Sequence, residues 1–395
     1  MKPPAVPRTI WALGFVSLFT DLGSEIVHSL LPVLLAGTLG ASVFAIGLLE
    51  GAAEALVLIT KVLSGYLSDA MGKRKPLVVL GYGLATLAKP LFPLAESVST
   101  VVMARMVDRF GKGIRGAPRD ALLGDLAPAE IRGACFGLRQ SMDTLGAVLG
   151  PSLAIALLWD LSNDVSTVLW IAVIPGLIAV SLLLFIKEPE QPERPPARLP
   201  ISREGLSRLG LAYWKLTALG ALVALARFSE AFLVLRASEQ GLGLTWIPLV
   251  LVVMSAVYAL SAYPAGALSD RMPRHWLLGL GMVTLALANV ALATAKGYGL
   301  LFLGIGLWGL HMGLTQGLLA SLIVDIAPPE YRGTAFGVFN LFSGFGLLLA
   351  SAMAGWLWDR SGSTATFWFG AGTATVATLA IPLLLGGARR GLGRA

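Results

Sequence analysis

The sequence predicts an all-helical integral membrane protein with twelve transmembrane helices in two six-helix halves that repeat one another. Three observations carry this. Hydrophobic residues make up 56% of the 395 residues and charged residues 13%, about half the charge of a soluble domain, and the mean hydropathy is +0.76. Apolar runs of about 20 residues, the length that crosses a bilayer as a helix, recur along the whole chain between short segments rich in Gly, Pro or charge. The second half also restates motifs of the first at a nearly constant offset.

In chain order the runs lie near 10–37, 43–69, 76–95, 98–122, 132–159 and 165–187, then 212–236, 244–269, 275–295, 298–323, 332–358 and 364–388. The first is too long for a signal-peptide core and no small-residue cleavage site follows it, so it reads as a retained helix. The longest polar connection, KEPEQPERPPARLPISREGLSRLG at 187–210, is rich in Pro and Arg and reads as a cytoplasmic linker. Residues 1–187 are therefore expected as one half, 188–211 as the linker and 212–395 as the other half. DLAPAEIRGACFG at 125–137 matches DIAPPEYRGTAFG at 325–337, GYLSD at 65–69 matches GALSD at 266–270, and LWD recurs at 158–160 and 357–359. Two like-oriented six-helix halves are the symmetry expected of a secondary transporter that rocks one half against the other.

Lysine and arginine concentrate in alternate connections: Lys2, Arg8, Lys73, Arg74, Lys75, Arg132, Lys187, Arg194, Arg198, Arg203, Arg208, Arg271, Arg274, Arg332, Arg389, Arg390 and Arg394 fall on one side, and little beyond Arg236, Lys296 and Arg360 on the other. The positive-inside rule places both termini in the cytoplasm, in a multi-pass protein of the inner (plasma) membrane. This bias accounts for the net charge of +7, so no nucleic-acid partner is expected. The single cysteine, Cys135, excludes an internal disulfide, and His28, His275 and His311 have no metal-ligand spacing. No nucleophile elbow, P-loop or HExxH is present. An enzyme is not expected, nor a metal or cofactor; the expected partners are a small-molecule substrate, protons and the lipid bilayer, and the chain is expected to work as a monomer.

The fourth run breaks the apolar rule. MARMVDRFGKGIRGAPRDALLGD at 103–125 carries Arg105, Asp108, Arg109, Lys112, Arg115, Arg119 and Asp120, and on a helix at about 100° per residue these fall within an arc of roughly 140°. Met103, Met106, Val107, Phe110, Ile114, Ala117 and Ala121 take the other side. A charge facing lipid at mid-depth costs at least about 2.5 kcal/mol, so the stripe must face a cavity or partner charges. Partners stand on neighbouring runs: Asp21, Glu25 and His28 on the first, Glu50, Glu54 and Lys61 on the second, Arg139 and Asp143 on the fifth, whereas the third and sixth are almost bare apart from Lys89. The second half is poorer, with Arg227, Glu230, His311, Gln316 and Asn340. Intramembrane ionisable groups are transport or proton-relay sites by default. Asp21, Glu25 and Glu54 are the candidate proton-coupling acids, with Asp108 and Asp143 in the same set. Arg105, Arg109, Lys112 and Arg139 are candidates to bind an anionic group or hold those acids ionised. A static charge network that fixes helix packing is the structural alternative, since Asp108 and Lys112, or Arg139 and Asp143, sit one helical turn apart.

These residues resemble a major facilitator superfamily transporter along nearly the whole chain. GYLSDAMGKRKPL at 65–77 is similar to the family signature between helices two and three, with Ala70 in place of the usual basic residue, and GALSDRMPRHWL at 266–277 is its weaker second copy, with Pro273 in place of the second Gly. The resemblance implies a gating role for Gly65, Asp69, Gly72, Lys73 and Arg74 and for Gly266, Asp270 and Arg271. GAVLGP at 146–151 resembles the helix-five motif of exporters that exchange substrate for protons, which implies gating at Gly146, Gly150 and Pro151; close helix packing is the alternative. TDLGSEIVHSLLP at 20–32 with DRFGKGIRGAPRDAL at 108–122 is similar to a bacterial branch of the superfamily. The expectation is a proton-coupled exporter working by alternating access; import of an organic anion through the same fold is the alternative. Cysteines placed singly at Ser202 and Ser207 should label only from the cytoplasm, and labelling of either in intact cells by a membrane-impermeant reagent would reverse the orientation.

Overall fold

The structure is a computed structural model that describes residues 6–188, 203–269, 272–315, 318–328 and 331–385. Residues 189–202 of the expected linker, with Asp270 and Arg271, lie outside the described residues. Regular structure among the described residues is entirely helical: α1 (Arg8–Val33), α2 (Val43–Met71), α3 (Lys75–Ala88), α4 (Val98–Leu126), α5 (Arg132–Asp160), α6 (Val165–Ile171), α7 (Val173–Phe185), α8 (Arg203–Arg208), α9 (Leu211–Ala226), α10 (Ala231–Glu239), α11 (Leu249–Ser269), α12 (Arg274–Thr294), α13 (Tyr298–Thr315), α14 (Leu318–Ile326), α15 (Arg332–Ser361) and α16 (Ser363–Leu385).

Ten helical stretches among the described residues are long and apolar enough to cross a membrane. The two remaining runs of the sequence form α3 and α4. With 14 residues, α3 stops at Ala88 before a short 3-10 turn holding Pro90, where proline removes a helical donor. Charge alone keeps α4 out, for its 29 residues exceed the length a bilayer needs.

The chain divides into two compact units. One comprises Met1–Gly40, Leu56–Arg198 and Leu242–Val252, the other Ala41–Ala55, Leu199–Gly241 and Val253–Ala395. In the first, α1 lies along α5, α3 along α4, and α7 packs on α1 and α3. The contact of α1 with α5 depends on glycine: a Cβ on Gly146 would stand 2.6 Å from the Leu18 carbonyl oxygen, and one on Gly150 would stand 2.7 Å from that of Leu22 and 2.9 Å from the Glu25 Cβ. The apolar core of this unit joins Ile10, Leu13, Tyr82, Leu122, Cys135 and Leu183. Asp164 caps α6, accepting from the Thr167 hydroxyl at 2.6 Å and its N–H at 3.2 Å, and these bonds hold its carboxyl below the usual carboxylate range.

In the second unit, α9 packs on α15 and α16, and α12 on α13 and α16. Gly346 repeats the role of Gly146, its Cβ position lying 2.9 Å from the Ala221 carbonyl oxygen. The Tyr213 hydroxyl donates to the Ala335 carbonyl at 2.7 Å. Asp359, the acid of the second LWD, accepts the N–H groups of Val43 at 3.0 Å and Phe44 at 2.8 Å, so a side chain from α15 completes the cap that Ser42 begins by accepting from the Ala45 N–H at 3.1 Å.

Gly150→Ala should lower stability by about 1–3 kcal/mol, because the methyl meets the α1 backbone and overpacks a fitted seam. Thermal unfolding in detergent measures this, with Gly137→Ala as control, since a Cβ there meets no atom within 4 Å.

Candidate functional site

The α4 stripe turns inward. Arg105, Asp108, Arg109 and Arg115 are buried, whereas Met103 and Phe110 on the opposite side are exposed, as a stripe shielded from lipid requires. Glycine makes the approach feasible: a Cβ on Gly111 would stand 2.6 Å from the Gly81 carbonyl of α3, and one on Gly113 2.6 Å from the Thr60 Cβ of α2.

Asp108 is the hub of the charges. Arg109 Nε lies 3.2 Å from its Oδ2 and Arg105 Nη1 4.0 Å, and the fully buried Lys89, at the end of α3, adds a third cation within Coulombic reach. Lys89 Nζ also donates to Ser24 Oγ of α1 at 3.1 Å. One carboxylate thus serves three cations from two helices. From sequence Lys89 stood out only as a charge on an otherwise bare run.

A second group lies between α1, α4 and α5. The carboxyl groups of Asp21 and Asp143 are within hydrogen-bonding reach of each other. Arg115 Nη2 stands 4.0 Å from Asp21, while its guanidinium covers the Tyr82 ring at 4.4 Å. Arg119 Nη1 stands 4.0 Å from Asp143 but Nη2 only 3.0 Å from Asp120, and Arg139 Nη1 lies 3.5 Å from Asp143. Lys112 adds its charge at Asp21, Glu25 and Asp143. Glu25 pairs with His28 one turn on, at 3.3 Å. So the acid that faces Asp21 is Asp143, on another helix, and not Glu25 on its own. Glu54 lies on the part of α2 that belongs to the second unit.

The gating candidates form a network at one end of the first unit. Arg74 Nη1 bonds Asp69 at 2.6 Å and Ser68 Oγ at 2.8 Å, and its Nε bonds Asp125, at the end of α4, at 3.0 Å. Burial opposes the Arg74 charge, but the two carboxylates outweigh it and raise the pKa above an arginine's ordinary value. Glu188 accepts the N–H groups of Arg74 and Lys75. Gly72 supports the turn with φ +64, a left-handed conformation that glycine adopts without a Cβ penalty. Lys73 is exposed, and Gly65 packs on Ala117, its Cβ position lying 3.2 Å from that side chain. In the second unit Arg274 pairs with Asp325, repeating Arg74–Asp125 200 positions on. A Cβ on Gly266 meets nothing within 4 Å; Asp270 and Arg271 are outside the described residues. Asp125 was legible as a repeated residue but not as the partner of Arg74. Pro151 sits inside an uninterrupted α5.

A family model described as Major Facilitator Superfamily matches residues 13–256 and 216–394. The chain belongs to the major facilitator superfamily. It is similar to an uncharacterized MFS-type transporter of Methanocaldococcus jannaschii, 32% identical over 379 residues and covering 94% of each chain. It is also similar to the inner membrane transport protein YajR of Escherichia coli, 23% identical over 94% of this chain and 82% of that one. Among solved structures, a POT family transporter in complex with a thioalcohol-conjugated peptide superposes with a TM-score of 0.80 at 14% identity, covering 97% and 96% of the two chains. At that identity the likeness shows the fold. This major facilitator protein is therefore a multi-pass membrane transporter rather than an enzyme.

Asp108→Asn should destabilise the first unit by about 3–5 kcal/mol, because it removes the acid that Arg105, Arg109 and Lys89 share in a buried place. Lys89→Met should cost clearly less, since Asp108 keeps Arg105 and Arg109. Unfolding midpoints of the two variants in detergent check this order, and equal losses would show that Lys89 is the principal partner.

Proposed function

We propose that this chain is a proton-coupled secondary transporter of the inner (plasma) membrane with cytoplasmic termini, exporting a small solute in exchange for protons by alternating access as a monomer. The contact between Asp21 and Asp143 carries the reading. Two carboxyl groups within hydrogen-bonding reach in a largely dry site share a proton unless a cation neutralises one of them. Arg139 Nη1 already stands 3.5 Å from Asp143, so the balance turns on Arg115 and Arg119, which stand 4.0 Å from Asp21 and Asp143 respectively, close enough that a small shift of α4 converts reach into contact. Contact favours release of the shared proton, and withdrawal favours its return.

The same helix supplies a link to gating. Asp125, at the end of α4, bonds Arg74, so a change of access that breaks the Arg74 network frees the end of the helix that carries Arg115 and Arg119. Gly65, Asp69, Gly72, Lys73 and Arg74 are the proposed gate of the first unit, with Gly266, Asp270 and Arg271 as its counterpart. Gly146 and Gly150 hold α5 against α1, which keeps Asp21 and Asp143 together. The export direction is supported by the GAVLGP motif at 146–151, and the membrane by the name of the Escherichia coli relative.

One observation favours a second reading. The inward stripe of α4 carries five cations (Arg105, Arg109, Lys112, Arg115 and Arg119) and two acids (Asp108 and Asp120). Such a stripe suits uptake of an organic anion, whose negative charge it would attract.

Asp143→Asn and Asp21→Asn, reconstituted in liposomes with a substrate found by thermal-shift screening, separate the possibilities. In the proposed cycle each variant keeps substrate-for-substrate exchange near the wild-type rate and loses transport driven by a pH gradient. Gradient-driven transport at wild-type rates in both would remove the pair from coupling. Uptake accelerated by an inwardly directed proton gradient would favour the anion importer.

A further inference from the structure

The seventh apolar run was expected as one helix. It forms two: α9 ends at Ala226 and α10 begins at Ala231, and the four residues between, Arg227, Phe228, Ser229 and Glu230, are not helical. Membrane-embedded chain leaves the helix only where protein or a cavity satisfies its backbone. No Pro or Gly accounts for the interruption.

Tertiary contacts hold it open. The Ser229 N–H donates to Ser351 Oγ at 3.2 Å, and Ser229 Oγ accepts from the Ala231 N–H at 3.2 Å. The Phe228 ring lies 5.4 Å from that of Trp308 and 5.8 Å from that of Phe367. Beside this ring the packing leaves polar atoms unmatched: among the described residues Asn289 Oδ1 and Trp308 Nε1, both on fully buried side chains, have no hydrogen-bond partner.

At the break stands an ion pair, Arg227 Nη2 to Glu230 Oε1 at 2.9 Å, with side chains 29% and 20% exposed. Arg236, on the same span, shows what a structural arginine looks like here. It is buried and makes hydrogen bonds to the carbonyls of Leu292 and Ala295, to Ser363 Oγ and to Glu239. Arg227, by contrast, is partly exposed and bonds Glu230, with His311 of α13 in electrostatic reach.

The repeat gives the depth. Gly146 meets Leu18 and Asp21 as Gly346 meets Ala221 and Ala224, so Ala224 stands where Asp21 does and Phe228 where Glu25 does. The interruption thus lies at the level of the acids of α1, in a span that has lost those acids. Since α1 is unbroken across that level, the break is not a demand of the shared scaffold.

We propose that the interruption at Arg227–Glu230 is a ligand-contact site for a zwitterionic group, whose carboxylate replaces Glu230 on Arg227 and whose ammonium replaces Arg227 on Glu230. Such a ligand satisfies both charges at once, whereas a ligand of one sign leaves the other side chain unpaired in a poorly hydrated place. This names a substrate class for the transporter and rests on the transport reading, but not on proton coupling. A binding assay without a gradient therefore tests it apart from Asp21 and Asp143.

The test uses the full chain in detergent with leucine, phenylalanine and alanylalanine as zwitterionic probes, each beside its N-acetyl and methyl-ester form. Thermal shift and calorimetric titration read binding. At least one zwitterion should bind, and both of its blocked forms should bind about ten- to a hundredfold more weakly. The double variant Arg227→Gln/Glu230→Gln, which removes both charges and leaves none unpaired, should keep the wild-type melting temperature and lose the same factor. Three results would each overturn the proposal: no zwitterion binding, blocked forms binding as well as the parent, or unchanged affinity in the double variant. If that variant melts much lower, the site is read from the ranking of zwitterion over blocked forms on the unaltered chain.

Discussion

An ionised side chain inside a bilayer must find its counter-charge within the protein, at a cost of several kcal/mol when it does not. In the first unit that demand centres on Asp108. Lys89, Arg105 and Arg109 all lie within its reach, and their attraction to it helps α4 turn its stripe inward. The stripe in turn decides how closely α2 and α3 approach, which is why Gly81, Gly111 and Gly113 stand at the contacts. The placement of the third and fourth helices, the two that hydropathy does not mark as spans, follows from charge satisfied internally rather than from apolar length.

The two units share a scaffold and differ at its centre. Arg74–Asp125 recurs as Arg274–Asp325, and the Gly146 seam recurs at Gly346, so the ends and the packing of the repeat persist. At the depth of the hub the positions have been rewritten: 200 residues after Lys89, Asp108 and Arg115 stand Asn289, Trp308 and Thr315. The second unit fills this region with Phe228, Trp308 and Phe367 and keeps one open ion pair. A rocking cycle needs two halves of similar shape, but only one of them has to carry a mobile charge system.

What the sequence revealed followed periodicity, and what it hid followed tertiary contact. The stripe on α4 was legible because a fixed turn angle sorts its cations and acids onto one side. Twelve runs were legible for the same reason, although α3 is too short, and α4 too charged, to pass by apolarity. The facing of Asp21 with Asp143 was hidden, because sequence spacing shows neighbours on one helix and not across two; Glu25, one turn from Asp21, pairs with His28 instead. The interruption of the seventh span was hidden because Arg-Phe-Ser-Glu contains no helix breaker. Its cause lies in Ser351, Trp308 and Phe367, residues distant in the chain.

The distances around the aspartate pair suit a device that changes state. The Arg74 contacts of 2.6 and 3.0 Å are closed hydrogen bonds, whereas Arg115 stands at 4.0 Å from Asp21 and Arg119 at 4.0 Å from Asp143. Arg119 has a nearer alternative in Asp120 at 3.0 Å. A cation with two acids at unequal distances needs only a small displacement to change partners, since Coulomb attraction in a poorly hydrated interior varies steeply over an ångström. A cation locked as Arg236 is would have to break several hydrogen bonds first. In the proposed cycle the first unit therefore combines a hub at Asp108, which keeps α4 embedded, with Arg115 and Arg119 further along the same helix, the second held by two hydrogen bonds to Asp120 that a change of partner must break. Anchoring at one point lets motion at the other become a choice between acids, and that choice decides whether the pair keeps its proton.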